Sequence, residues 1–133
     1  MNSKDLMIGD WINMPDYYDV ESTRPLQIDI DDLAWIASED GDVDIYSTPI
    51  SLTKEILVKN GFLKVDTLFD GYELRICDSI QTCEILVEED TYGYMITIRN
   101  GNCGCSLIEP SVHEFQHALR LCGLNELADN FKI

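Results

Sequence analysis

The chain has 133 residues, 45% of them hydrophobic, with six tyrosines and two tryptophans; this excludes a disordered polymer and suits a single domain spanning residues 1–133. Twenty-five acids against nine basic residues give a formal net charge of −16, which repels phosphate backbones and argues against direct binding to DNA or RNA. No apolar run approaches the ~20 residues that span a bilayer. The opening MNSKDLMIGDW lacks a basic segment followed by an apolar one, so a cytoplasmic protein with no membrane association is expected.

In chain order, LMIGDWINM (Leu6–Met14) reads as a first strand with a kink at Gly9, closed by Pro15. Residues 15–24 (PDYYDVESTR) form a polar loop. PLQIDI (Pro25–Ile30) alternates apolar and polar residues at Leu26, Ile28 and Ile30, the pattern of a half-buried strand. Residues 31–37 stay open between a short helix and an extension of that strand. SEDGDVD is a turn, and VDIYSTPI resumes an extended run.

STPISLTKEILVKNGF carries the clearest helix punctuation. Thr53 is a natural N-cap, Leu52 and Leu57 occupy the two positions of a hydrophobic staple, and Gly61 supplies the left-handed stop. Strands follow at Leu63–Leu68, Tyr72–Cys77, Cys83–Glu88 and Tyr92–Arg99. Asn100-Gly101 predicts a two-residue type I′ hairpin. Arg99 then faces Asn102, Ile98 faces Cys103, and Ile96 faces Cys105, which sets both cysteines on the apolar face.

SVHEFQHALRLCG (Ser111–Gly123) holds both histidines, and His113-Glu114-Phe115-Gln116-His117 spells H-E-x-x-H. On a helix, His113 and His117 would present ring nitrogens to one zinc ion, with Glu114 beside them to take a proton from metal-bound water. This is the basis of an alternative reading as a zinc-dependent hydrolase. Three features favour a structural helix instead. Ser111-x-x-Glu114 is a capping box, which turns the glutamate back to the helix start. Val112, Phe115, Leu119 and Cys122 form the apolar stripe, leaving His113, His117 and Arg120 on an expected solvent face. Only Glu126 and Asp129 offer downstream carboxylates, and no third histidine exists.

Other constellations are weaker. Cys103, Cys105, His113 and His117 have acceptable H-x₃-H spacing, but C-x-C is not the usual zinc-ligand pair. Asp40-Gly-Asp42-Val-Asp44 opens like a calcium loop, yet Ile45 and Ser51 stand where an EF-hand needs glycine and glutamate. The carboxylates of Glu88-Glu89-Asp90 read as a turn. Five cysteines (Cys77, Cys83, Cys103, Cys105, Cys122), none in C-x-x-C, read as reduced thiols.

Three blocks, LMIGDWI, PISLTKEILVKNGF and VHEFQHALRLCG, resemble in order those of a family of small proteins from Bacteroides-type gut bacteria and their phages and mobile elements. Its members read L-x-I-G-N-x-V, I-P-L-T-E-E-x-L-x-x-x-G-F and V-H-Q-L-Q. The resemblance implies glutamine where this chain has Glu114, a mobile-element or phage background, and no transferable activity or catalytic residues.

The expected fold is therefore α+β. A curved antiparallel sheet carries the Thr53–Asn60 and Ser111–Cys122 helices, and the strands before residue 50 form a small barrel-like layer. The expected function is a non-enzymatic interaction or accessory protein with a protein partner, no cofactor and no catalytic or metal-binding residues. Besides the zinc hydrolase (Glu114, His113, His117), residues 1–50 suggest an acidic nucleic-acid mimic. They hold twelve acids against Lys4 and Arg24.

Overall fold

The computed structural model describes residues 5–15, 23–38, 48–66, 70–77, 82–90 and 93–133. The polar loop at 16–22 and the Asp40–Asp44 turn lie outside them. The fold is α+β, and the described residues form two antiparallel sheets and four short helices. The chain divides into two compact units, Met1–Ser51 with Ser111–His113, and Leu52–Pro110 with Glu114–Ile133. Among the described residues no helix is long and apolar enough to cross a membrane.

In the first unit, β1 (Trp11–Pro15) lies between β2 (Thr23–Gln27) and β3 (Thr48–Pro49). This sheet has three described strands and is not closed. The strand expected from Leu6 begins only at Trp11, because the preceding residues turn. Gly9 has φ 93°, the Asp10 amide donates to the Met7 carbonyl at 3.1 Å, and the fully buried Asp10 carboxylate accepts from the Met7 amide at 2.7 Å. Burying this carboxylate is tolerable because a backbone N–H compensates its lost hydration. Reciprocal backbone bonds, Gly9 N to Ile28 O and Ile28 N to Asp10 O, dock the turn beside β2. Leu6, Ile12, Met14 and Ile28 form the core, flanked by Leu26 and Leu33.

Residues 31–37, open in the sequence, belong to helix α1 (Ile30–Ser38). Its start is a reciprocal box: the Asp32 amide donates to Asp29 Oδ1 at 2.8 Å, and the Asp29 amide donates to Asp32 Oδ2 at 3.1 Å. The Asp32 amide, foremost among several hydrogen bonds, holds the Asp29 carboxyl below the usual carboxylate range. Two orphan amides at a helix start are thereby satisfied, which selects helix over strand.

The second unit is a five-stranded meander in the order β4 (Leu63–Asp66), β5 (Asp70–Cys77), β6 (Thr82–Asp90), β7 (Gly93–Asn100), β8 (Cys103–Ile108). Strand alternation places Tyr72, Cys83, Ile85, Val87, Ile96 and Ile98 on one buried face. Glu88, Glu89 and Asp90, read above as a turn, extend β6 and pair with Met95, Tyr94 and Gly93. Acidic composition alone marks a turn poorly when the partner strand supplies backbone hydrogen bonds. At Gly71 the approach to β6 is so close that an added Cβ would stand 2.6 Å from the Val87 carbonyl oxygen. That glycine serves strand packing rather than the turn its Asp-Gly setting suggests.

Helix α2 (Lys54–Lys59) follows its sequence signals. The Ile56 amide donates to Thr53 Oγ1 at 3.3 Å, Leu52 and Leu57 are both buried, and Gly61 turns the chain at φ 86°. Helix α3 (Val112–Leu121), whose first two residues group with the first unit, and α4 (Asn125–Asp129) follow. Phe115 sits between Phe62 and Phe131, at centroid separations of 6.2 and 5.6 Å, the latter edge-on. Such offset geometries suit the ring quadrupoles and add to the burial of all three rings. The chain end is clamped on α2: the Asn60 side chain donates to the Lys132 carbonyl at 2.7 Å and accepts from the Lys132 amide at 2.8 Å.

The β7–β8 turn differs from the expected register. Asn100 pairs with Cys103, Arg99 with Gly104, and Ile98 with Cys105, so the two loop residues are Gly101 and Asn102. Gly101 has φ 59° and Asn102 has no positive φ, the type II′ signature rather than I′. Asn100 remains in the ladder, and its side-chain amide donates to the Cys122 carbonyl at 2.7 Å. The slip moves each pair by two positions, so Cys103 and Cys105 keep the face shared with Ile98.

Candidate functional site

The H-E-x-x-H residues lie on α3, one helical turn apart as expected. Ser111 precedes the helix in an isolated bridge with Ser51, and the Val112 amide donates to the Ile50 carbonyl at 2.9 Å. The Ser111 hydroxyl and His113 Nδ1 share a 3.1 Å hydrogen bond. Both side chains are buried, His113 with only 7% of its surface exposed. Glu114 is exposed and His117 half-buried.

The expectation of a solvent face through His113, His117 and Arg120 is therefore corrected. The Arg120 side chain is 15% exposed, and its Nη2 lies 3.4 Å from Asp129 Oδ1. Gln116, which no sequence motif marks, is fully buried and donates through Nε2 to the Ala128 carbonyl at 2.9 Å. The stripe Val112, Phe115, Leu119 and Cys122 is buried as expected. Burial extends beyond it because α4 packs on a second flank of α3. Glu114 and Leu121 mark the side facing water, Leu121 being 79% exposed.

This arrangement spreads the donors of the zinc reading over different surroundings. Of the downstream carboxylates, Asp129 is engaged by Arg120 and Glu126 is exposed. Among the described residues, no three histidine, cysteine, aspartate or glutamate side chains group as a metal site. The C-x-C and H-x₃-H halves also separate. Cys103 Sγ donates to the Leu121 carbonyl at 3.7 Å, one helical turn (about 6 Å) beyond His117 and about 12 Å beyond His113, and the four do not group among the described residues.

What the structure does gather is sulfur. Cys83, Cys103, Cys105 and Cys122 are free thiols, the first and last buried, Cys105 half-buried and Cys103 exposed. The expectation of small buried thiols thus fails for Cys103. Burial raises the Cys83 thiol above its ordinary range. Burial, followed by a hydrogen bond with the Cys103 thiol, pushes Cys122 up to about 11. A further charged corner joins α2 to β6, where Lys54 Nζ lies 3.5 Å from Glu89 Oε2. Glu89 holds the Lys54 ammonium above its usual range, while burial and then Glu89 raise the Tyr94 phenol.

Fold and site together define an α+β protein whose helix α3 holds His113 buried, His117 half-buried and Glu114 exposed. Comparisons with protein-family models, with curated proteins and with solved structures gave no match.

Proposed function

We propose that the protein is a non-enzymatic interaction protein that binds a protein partner through the outer face of its five-stranded sheet. The observation that carries this reading is the apolar exposure on that face. Met95 and Ile108 form a cross-strand pair, 38% and 82% exposed, and Leu63 on the opposite edge strand is 73% exposed. Around them stand Glu73, Arg75, Glu84, Glu88 and Arg99, with Arg75 paired to Glu73 and to Glu84. Exposed large side chains ringed by charge are the composition of a binding surface rather than of a solvated sheet.

The charge of −16 selects a partner with a basic rim, approached by electrostatic steering. A cytoplasmic accessory protein of mobile-element or phage background is in keeping with the resemblance of the three sequence blocks. The test is cross-linking mass spectrometry of the full chain in a bacterial lysate, then reconstitution with the purified partner. Cross-links on β7 and β8, with roughly tenfold weaker binding for Met95→Ser/Ile108→Ser and weakening by salt, support the reading. A partner bound equally by the double variant overturns it.

A further inference from the structure

Four cysteines from three elements converge where the β7–β8 hairpin meets the end of α3. Cys83, Asn100 and Cys103 occupy one row across β6, β7 and β8, since Cys83 pairs with Asn100 and Asn100 with Cys103. Asn100 fastens this row to the helix through the Cys122 carbonyl. The neighbouring carbonyl, of Leu121, accepts from Cys103 Sγ. Two independent hydrogen bonds thus bring the start of β8 and residues 121–122 together.

We propose that Cys103 and Cys122 form a reversible disulfide by exchange with a low-molecular-weight disulfide such as oxidised glutathione. Geometry selects the pair. Cys83 and Cys103 are separated by an intervening strand, about 9–10 Å, beyond the roughly 7 Å that a disulfide spans between Cα atoms. Cys105 lies one pleat farther on, opposite Ile98 rather than Asn100. Cys103 opens the row and faces the helix end.

Exposure orders the steps. The Cys103 thiolate, accessible to solvent, attacks one sulfur of the small disulfide; the S–S bond breaks, and one thiolate leaves with its electron pair. Cys122 then gives its proton to solvent and attacks Cys103 Sγ, expelling the second small thiolate. Two protein thiols are oxidised and one small disulfide is reduced to two thiols, so atoms and electrons balance. Cys122, buried and hydrogen-bonded to Cys103, stays protonated until that second step. The mixed disulfide on exposed Cys103 therefore precedes closure onto buried Cys122.

The test incubates the full chain with oxidised glutathione and follows intact mass, thiol count and peptide map. The expected course is gain of one glutathionyl group on Cys103, then its loss with a net loss of two hydrogens and a Cys103–Cys122 cross-linked peptide. The bridge raises Tm by roughly 5–10 °C, reversed by a dithiol reductant. Cys122→Ser stops at the mixed disulfide, Cys103→Ser forms no intrachain bridge, and Cys105→Ser behaves as the parent. Circular dichroism checks that Cys122→Ser folds, and the peptide map of the unaltered chain decides independently of any variant. A bridge through Cys105, a bridge only between two chains, or no bridge at all overturns the proposal.

Discussion

The first turns of α3 and its last turn both bury reactive side chains, but they surround them differently. At the start, His113 meets the Ser111 hydroxyl and Gln116 meets the Ala128 carbonyl. These bonds tie His113 to the residue that precedes the helix and Gln116 to α4. At the end, Cys122 is buried next to a thiol that reaches solvent. The comparison turns on partners rather than residue types: a buried thiol beside an accessible one can exchange bonds through it.

The largest test of this contrast removes the ring that seats the helix between its two ends. Phe115→Ala should lower unfolding free energy by about 3–5 kcal/mol in urea denaturation, since Phe115 is fully buried against Phe62 and Phe131. A loss below about 1 kcal/mol would mean that the helix is not held through this face. Gln116→Ala should cost about 0.5–1.5 kcal/mol, because the Ala128 carbonyl loses one donor and keeps the Phe131 amide. Unchanged stability would mean that this bond does not hold the helix.

Smaller effects sharpen the comparison further. Glu114→Gln, at an exposed position, should change stability by no more than about 0.5 kcal/mol. Equimolar zinc should leave Tm within about 1 °C, because binding to the folded state would raise it by mass action. A clear zinc-dependent rise, abolished by His113→Ala, would turn the start of α3 into a metal site and reverse the contrast.

Much of this helix was legible before folding, but not the parts that separate its two ends. The apolar stripe marked Val112, Phe115, Leu119 and Cys122 for burial, and they are buried. The same stripe wrongly sent His113 and Arg120 to solvent, because an amphipathic pattern reports one face, whereas α4 meets Arg120 and His113 is buried beside Ser111. Alternation near Asn100-Gly101 put Cys103 and Cys105 on the correct face while missing the register. Turn propensity could not know that the Asn100 side chain is recruited by a helix end 22 residues later. Composition likewise misread Glu88–Asp90, whose strand conformation depends on pairing with β7.

What the sequence determined by itself is what backbone preference and near neighbours control. Thr53 caps α2, Gly61 ends it, Leu52 and Leu57 staple its entry, and alternation marks the strands. The fold class follows from these signals, and the charge of −16 requires no folding at all. Tertiary structure decided which polar side chains lose water and what replaces it: Asp10 with Met7, Gln116 with Ala128, Asn60 with Lys132, and four thiols at one corner. Most of these partners are distant in sequence, and only chain closure brings them within hydrogen-bonding reach. Local propensity carries no term for that closure, so the chemistry of the thiol corner emerges only in the folded chain.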